Sequence, residues 1–257
     1  MNLDWENNMR AFLLATLLLV GSSAVAQEKQ KLSSTDVERR TALFFKTADG
    51  VVDKVLPSGW KVNPPTAGPS AGFTLGVTLI NQLFTQGPDG KALPARTYVV
   101  FIVPAKSETN AAGPMVFSGF MSADGAPGAY GVYQAANVKF DSKVENAEDQ
   151  SLAEELWQAT GKDGSAIEVQ LAFERGTPVR SKADARVYSA GKPEFYRIYQ
   201  IDQATDVIRS VPAGLDRAKK STIKVTGPKL DPIFAGAELI SIASIPWYSR
   251  SIYLPEF

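Results

Sequence analysis

The 257-residue chain contains no cysteine and no histidine. Without these residue types the protein has no means of building a Ser-His-Asp triad, a thiol nucleophile, or a zinc site with imidazole or thiolate ligands. The sequence therefore predicts no metal site and no cofactor. Any catalysis must use carboxylates, lysine, tyrosine or arginine, and binding without turnover is the alternative.

The chain also has no net charge, because its 27 basic residues balance its 27 acidic residues. The first 26 residues contain one of the basic and two of the acidic residues, so the remainder has 26 basic and 25 acidic residues, a net charge of +1. A nearly neutral surface offers no electrostatic footprint for nucleic acid and no attraction to anionic membranes. We expect neither as a partner.

Residues 1–26 have the pattern of a signal peptide. The apolar run Phe12–Val20 is too short to span a bilayer, and it is followed by Ala24-Val-Ala26, a small-x-small cleavage signature. A start at Met9 would place the basic Arg10 at the beginning of this segment, where signal peptides carry positive charge. We expect cleavage before Gln27, a periplasmic or secreted protein, and no stable membrane insertion afterwards. A retained membrane anchor is the alternative.

The remaining residues, 27–257, predict one domain that is held by its own core, since about 230 residues without disulfides are enough for that. Residues 27–34 are polar and predict a disordered start. Apolar spacing predicts a short helix over Ala48–Leu56, which ends at Pro57, and a second helix from Asn146 to Gly161.

Period-two alternation predicts strands elsewhere. The clearest are Tyr98–Val103, Met115–Met121, Ile167–Phe173 and Leu239–Ile245. Turn signals such as Pro88-Asp-Gly90 connect the early strands, which favours antiparallel pairing. The predicted fold class is α+β and mostly antiparallel β, with a sheet that closes into a barrel, because closure removes exposed edges, and with a few flanking helices.

Lys139 is the candidate catalytic residue, because it is the single charge in the segment Gly131–Phe140. A free lysine amine has a pKa near ~10.4 and is almost fully protonated at neutral pH, whereas complete burial lowers a lysine pKa by roughly 3–5 units. We expect Val138, Phe140 and Tyr133 to desolvate Lys139, which would make it a Schiff-base nucleophile. A solvated lysine at a strand end is the alternative reading of the same residues.

The order of these segments resembles the acetoacetate decarboxylase family. Val51–Pro57 is similar to that family's early helix, Gly131–Phe140 to the segment with its catalytic lysine, and Gly227–Ile242 with Ser251–Pro255 to its closing strands. The resemblance implies a cone-like β-barrel with an interior pocket, a homo-oligomer, and a lysine that condenses with a β-keto acid. Carried over to this chain, the nucleophile is Lys139.

Other positions depart from the family pattern. Phe140 stands where the family has a second lysine, and Asp89 lies one position from the expected pocket glutamate, within a turn that also suits a solvated aspartate. Either Arg39 or Arg40 matches the arginine that holds the substrate carboxylate, with a solvated helix start as the alternative. Tyr133 and Gln134 fall where the family has an acidic residue. They would either form hydrogen bonds to the ligand or be an ordinary core tyrosine and strand glutamine.

Two functions follow from these observations. The first is an exported lyase that forms a Schiff base between Lys139 and a small keto acid. The second is a barrel of the same fold that binds a keto acid or an apolar acid without turnover, which the missing glutamate and second lysine favour. A structural envelope protein is a third alternative.

Overall fold

The computed structural model describes residues 30–147 and 150–256. Strands account for most of this part of the chain. In order they are β1 (Gln30–Lys46), β2 (Trp60–Val62), β3 (Leu75–Gln86), β4 (Ala92–Leu93), β5 (Thr97–Ser107), β6 (Ala112–Met121), β7 (Tyr133–Asn146), β8 (Ser151–Gly161), β9 (Ala166–Glu174), β10 (Val179–Ser189), β11 (Lys192–Ser210), β12 (Leu215–Asp216), β13 (Ala218–Thr226) and β14 (Glu238–Pro255). The helical elements in this part are a 3₁₀ helix at Val52–Val55 and the one-turn helix α1 at Asp231–Phe234.

Seven strands are hydrogen-bonded in a ring, in the order β6, β10, β11, β14, β1, β3, β5 and back to β6. All of these pairings are antiparallel except the short contact between β10 and β6, where Tyr188 and Ser189 pair in parallel with Met115 and Val116. Three short strands pair with single ring strands: β2 with β5, β4 with β3, and β12 with β11. The ring therefore continues through backbone pairing around its whole circumference.

A second layer, here called the outer sheet, consists of β7, β8, β9 and β13 in antiparallel order. The start of β7 joins it to the ring, because Tyr133–Ala135 pair in parallel with Gly119–Met121 of β6. Beyond this junction β7 leaves the ring and runs along β8 alone. The chain therefore forms two layers that are joined by hydrogen bonds at the start of β7.

Alternation along the ring strands next to the outer sheet places apolar residues on both of their faces. Between the ring and the outer sheet, Trp157 and Val169 from the outer sheet pack into one cluster with Leu43, Leu79 and Phe101 from the ring. On the opposite face of the same ring strands lies the ring interior, whose apolar part is a second cluster that includes Ile80, Val100, Val116, Tyr199 and Ile252. Each ring strand next to the outer sheet is consequently buried on both faces.

The structure confirms a mostly antiparallel β protein and corrects the helices. In the segment predicted as a helix from Asn146 to Gly161, Asn146 ends strand β7 and residues 151–161 form strand β8, in which alternate residues such as Ala153, Glu155 and Trp157 are buried, so the period is two. The predicted helix over Ala48–Leu56 is reduced to the four residues Val52–Val55. Residues 30–34, predicted to be disordered, pair with β14 as the start of β1. No helix in the described residues is long and apolar enough to cross a membrane, and the predicted signal peptide lies outside them.

Candidate binding site inside the strand ring

Strand β1 brings charged residues into the ring interior by simple alternation. Asp36, Glu38 and Arg40 are separated by two positions each and are all buried, with exposed fractions of 2%, 0% and 8%. Arg39 and Thr41, at the alternate positions of the same strand, point to the other face, where they contact Ser142 and Glu155 of the outer sheet. One strand thus carries an ionic face toward the ring interior and a different face toward the outer sheet.

Arg250 on β14 connects these charges. Its Nη2 donates to Glu38 Oε1 at 2.9 Å, to Asp36 Oδ2 at 3.0 Å and to the Tyr98 hydroxyl at 3.0 Å, and its Nε donates to Asp36 Oδ2 at 3.1 Å. Glu38 also accepts a 2.5 Å hydrogen bond from Arg40 Nε. Two arginines and two carboxylates from β1 and β14 therefore form one buried network, to which Tyr98 of β5 adds a hydroxyl.

The cluster keeps its charges although it is out of water. Burial by itself would raise the pKa of Glu38, but the adjacent Arg250 and Arg40 guanidinium groups outweigh it and hold this pKa below the ordinary value. Burial lowers the pKa of Arg250, and the negative charge of Glu38 reverses that effect and raises it. Glu38 and Arg250 consequently depend on their oppositely charged partners to remain charged.

Tyrosine rings surround the two arginines. The Arg40 guanidinium lies 3.4 Å from the centre of the Tyr248 ring, and that of Arg250 lies 4.5 Å from the centre of the Tyr199 ring. The hydroxyls of Tyr199 and Tyr130 are hydrogen-bonded to each other. Burial raises the pKa of Tyr130, so its hydroxyl stays protonated and is available as a donor. The ring interior therefore combines cation–π contacts with neutral phenol groups.

Tyr133 enters this cluster because two glycines make room for it. A Cβ on Gly119 would lie 2.4 Å from the Val99 carbonyl oxygen and 2.6 Å from the Tyr133 ring, and a Cβ on Gly128 would lie 2.2 Å from the same ring. Gly128 also has a φ of +69°, which disfavours other residues. The Tyr133 ring is thereby held between the two backbones, 6.2 Å from the Tyr98 ring and 6.3 Å from the Tyr130 ring.

Several polar groups near this network are buried without a hydrogen-bond partner. Asp36 Oδ1 and Thr85 Oγ1 are two of them, and these residues face each other in the register of β1 and β3. A third is Arg197 Nε, on a residue that pairs with Val187 of the apolar cluster in the ring interior. Buried polar groups without partners are rare in native proteins and often mark functional positions. The ring interior therefore has unused acceptor, hydroxyl and guanidinium groups.

Comparisons of structures match both layers of the fold. An acetoacetate decarboxylase-like enzyme from Sphingomonas wittichii RW1 superposes with a TM-score of 0.53 at 8% identity, covering 94% of this chain and 98% of its own. An enduracididine biosynthesis enzyme, solved with HEPES buffer bound, superposes with a TM-score of 0.52 at 9% identity, covering 92% and 89% of the two chains. No protein-family model matches the sequence, and no curated protein matches it.

The chain has the acetoacetate decarboxylase-like fold. This confirms the family resemblance at the level of the fold, which is what identities of 8% and 9% support. Within that fold, the positions of the individual side chains decide what chemistry is available.

Lys139 does not occupy the ring interior. It lies on β7 beyond the junction with β6, where it is exposed on the outer face of the outer sheet. There it lines an open groove of about 330 Å³ together with Glu168 and Lys224. The expectation that Val138 and Phe140 desolvate this amine is wrong, because neighbours in a strand point to opposite faces. Both of these residues pack inward, and the Phe140 ring stacks on Trp157 at 3.9 Å.

The other predicted positions divide between the two layers. Arg40 and Tyr133 lie in the ring interior, and their role as ligand contacts stays a prediction. Arg39 lies on the opposite face of β1 and donates a 2.8 Å hydrogen bond to Ser142. The amide of Gln134 lies 3.0 Å from the carboxylate of Asp163. Asp89 is an exposed turn residue whose carboxylate accepts from the Lys91 backbone amide at 3.2 Å and pairs with the Lys91 side chain at 3.0 Å, which is the solvated alternative of the sequence analysis.

Residues that sequence reasoning missed form the centre of the cluster. Arg250 is the single charged residue between Leu239 and Pro255, a stretch otherwise made of apolar and small polar residues, and this isolation was a usable signal. The period-two spacing of Asp36, Glu38 and Arg40 was another. The tyrosines gave no comparable signal, because their clustering depends on four different segments of the chain: Tyr98, Tyr130, Tyr199 and Tyr248.

Proposed function

We propose that this protein binds a small organic acid with one negative charge inside the strand ring, without forming a Schiff base. The observation that carries the proposal is that every lysine in residues 30–147 and 150–256 is exposed at the surface. An amine in water stays protonated at neutral pH and is a poor nucleophile toward a carbonyl group. Arginine takes the place of lysine in the ring interior, and arginine binds acids without reacting with them.

The charge of the ring interior favours an anion. Arg40, Arg250 and Arg197 face two carboxylates, those of Asp36 and Glu38, which leaves one positive charge in excess. A monovalent acid would neutralise this charge in surroundings of low dielectric, where electrostatic attraction is strong. The free Nε donor of Arg197 suits the carboxylate, and the free acceptor and hydroxyl of Asp36 and Thr85 suit a hydroxyl or amino group on the same ligand.

We further propose that the ring acts as a closed cone-like barrel around this ligand, and that the protein is exported. Continuous pairing around the seven strands supports the first statement. The apolar run and cleavage signature in residues 1–26 support the second. An exported binder of small acids fits a chain that lacks a desolvated lysine in the part that the structure describes.

Borohydride trapping separates this proposal from decarboxylase chemistry. We expect no reduced adduct on any lysine when the purified protein is incubated with acetoacetate or pyruvate, treated with borohydride and analysed by peptide mass spectrometry, because exposed lysines are protonated. An imine-forming decarboxylase of the same fold, treated in parallel, checks the reagent. A stoichiometric adduct on Lys139 would restore the lyase hypothesis and overturn the present one.

Two arginines provide a matched test of ligand binding. Arg197 and Arg39 are both half-buried with an Nε that lacks a partner, but one faces the ring interior and the other faces the outer sheet. We expect Arg197→Lys to weaken binding of a small monocarboxylate by about tenfold or more, because a hydrogen bond to a charged group contributes about 1.5–3 kcal/mol. Arg39→Lys should leave the affinity unchanged.

Calorimetric titration with a panel of keto, hydroxy and apolar monocarboxylic acids measures these affinities. Thermal unfolding of each variant checks that the fold is intact. Absence of binding across the panel, or an equal loss of affinity in both variants, would contradict the proposed site.

A further inference from the structure

Within residues 30–147 and 150–256, one edge of β7 has no strand partner beyond the junction with β6. Residues 136–146 pair with β8 on one side, whereas β6 pairs only with Tyr133–Ala135 on the other. Residues 141–147 are all exposed. From Asn137 onward, the second edge of β7 therefore presents backbone N–H and C=O groups that are free to pair with another strand.

The outer face of this edge alternates in charge. Lys139, Asp141, Lys143 and Glu145 are all exposed and share this face, as shown by their register with Gln158, Leu156, Glu154 and Leu152 of β8. The order of signs is plus, minus, plus, minus. Alternation of this kind is self-complementary when the strand meets an antiparallel copy of itself.

We propose that a second copy of this chain pairs with β7 along this edge, antiparallel, with a two-fold axis at Ser142. In that register Lys139 lies opposite Glu145 of the second copy, and Asp141 lies opposite Lys143. Each contact occurs twice by symmetry, as in any isologous interface. Opposite charges that face each other across antiparallel strands contribute roughly 0.2–1 kcal/mol per pair.

The inner face of the strand agrees with the same register. Val144 is 46% exposed although it lies on the face that turns toward the core. With the axis at Ser142, Val144 lies opposite Phe140 of the second copy, which forms an aromatic and β-branched pair of the kind that stabilises sheets. Pairing therefore covers an apolar side chain that the single chain leaves in water.

Neighbouring registers are disfavoured by the charges. A shift of the axis to Asp141 places Lys139 opposite Lys143 and Asp141 opposite itself. A shift to Lys143 places Asp141 opposite Glu145 and Lys143 opposite itself. An axis between two adjacent residues would place a side chain of the outer face opposite a side chain of the inner face. Directly opposite residues in a continuous sheet point to the same face, so this register is not allowed. The charges of β7 thus favour an axis at Ser142 over an axis at Asp141 or Lys143.

Single cysteines test the axis directly, because the protein contains no cysteine of its own. Residues directly opposite in an antiparallel pair have Cα atoms about 4.5–5.5 Å apart, within the range that a disulfide bridges. We expect Ser142→Cys to give a covalent dimer on mild oxidation. Val144→Cys is the matched control, because the two copies of residue 144 lie about 13 Å apart along the strands.

Charge exchange tests the pairing without a covalent bond. Residue 145 of each copy faces Lys139 of the other copy, so this contact occurs twice in the dimer. We expect Glu145→Lys to raise the dissociation constant of the dimer by about tenfold in sedimentation analysis. Adding Lys139→Glu to this variant should restore dimerisation, whereas Lys54→Glu, on the 3₁₀ helix, should have no effect. A monomer at every concentration, a Val144→Cys dimer without a Ser142→Cys dimer, or failure of the double exchange to restore pairing would each overturn the proposal.

Discussion

Replacing Arg250 with methionine is expected to lower the free energy of unfolding by about 3–5 kcal/mol. The change removes the arginine partner of Asp36 and one of the two arginine partners of Glu38, and these carboxylates have exposed fractions of only 2% and 0%. Methionine retains much of the volume of the arginine stem, so the loss is mainly electrostatic. Denaturant unfolding of the variant and the parent protein, followed by circular dichroism, measures this difference.

Arg180→Met is the matched control for Arg250→Met. Arg180 also pairs with a carboxylate, that of Asp202 at 2.6 Å, but its side chain is 66% exposed. Exposed ion pairs contribute about 0–1 kcal/mol, so this variant should unfold near the parent. Adding Asp36→Asn and Glu38→Gln to Arg250→Met should recover part of the lost stability. Equal effects of the two arginine variants would show that burial does not determine the energy of the Arg250 network.

The second large effect is expected at Trp157, where alanine should cost about 3–5 kcal/mol. The Trp157 side chain is 1% exposed, stacks on Phe140 and donates a 2.9 Å hydrogen bond from Nε1 to Glu155 Oε2. Glu155 is itself buried, which raises its pKa, and Thr41 of β1 donates to the same carboxylate oxygen at 2.5 Å. The substitution therefore opens a cavity and removes a donor from a buried carboxyl group.

Trp247→Ala is the corresponding control, because that side chain is 37% exposed and lies on the outside of β14. We expect a cost of less than about 1 kcal/mol for this variant, as for most surface substitutions. Thermal and denaturant unfolding of both variants gives the comparison. Similar losses for the two tryptophans would contradict the assignment of Trp157 to the core between the layers.

The sequence predicted the strand content well where alternation was strict. Ile167–Phe173 and Met115–Met121 were predicted as strands and lie within β9 and β6. The segment from Asn146 to Gly161 was assigned the wrong period, since Leu152, Leu156 and Trp157 have helical spacing although β8 is a strand. The apolar residues of β8 lie on both faces of the outer sheet: Leu152 and Leu156 on one face and Trp157 on the other. Their spacing along the sequence therefore does not distinguish a helix from a strand.

The candidate site was predicted only in part, for a similar reason. Alternation along β1 shows that Arg39 and Arg40 point to opposite faces, but it does not show which face lies toward the ring interior. That orientation depends on the pairing of β1 with β3 and β14. The apolar neighbours of Lys139 suggested desolvation, but in a strand they mark the opposite face. The network of Glu38, Arg40 and Arg250 joins residues more than 200 positions apart in sequence, which no local pattern contains.

Strand β1 is the common wall of the two layers, and this restricts how its length can change. If one residue were inserted before Asp36 and the residues ahead of it kept their pairing, every later residue would move by one position in the register, and its side chain would exchange faces. Carboxylates would then meet Trp157, and Leu43 would enter the arginine network. Insertions and deletions in this strand are therefore tolerable only in steps of two residues or when a bulge absorbs the extra one.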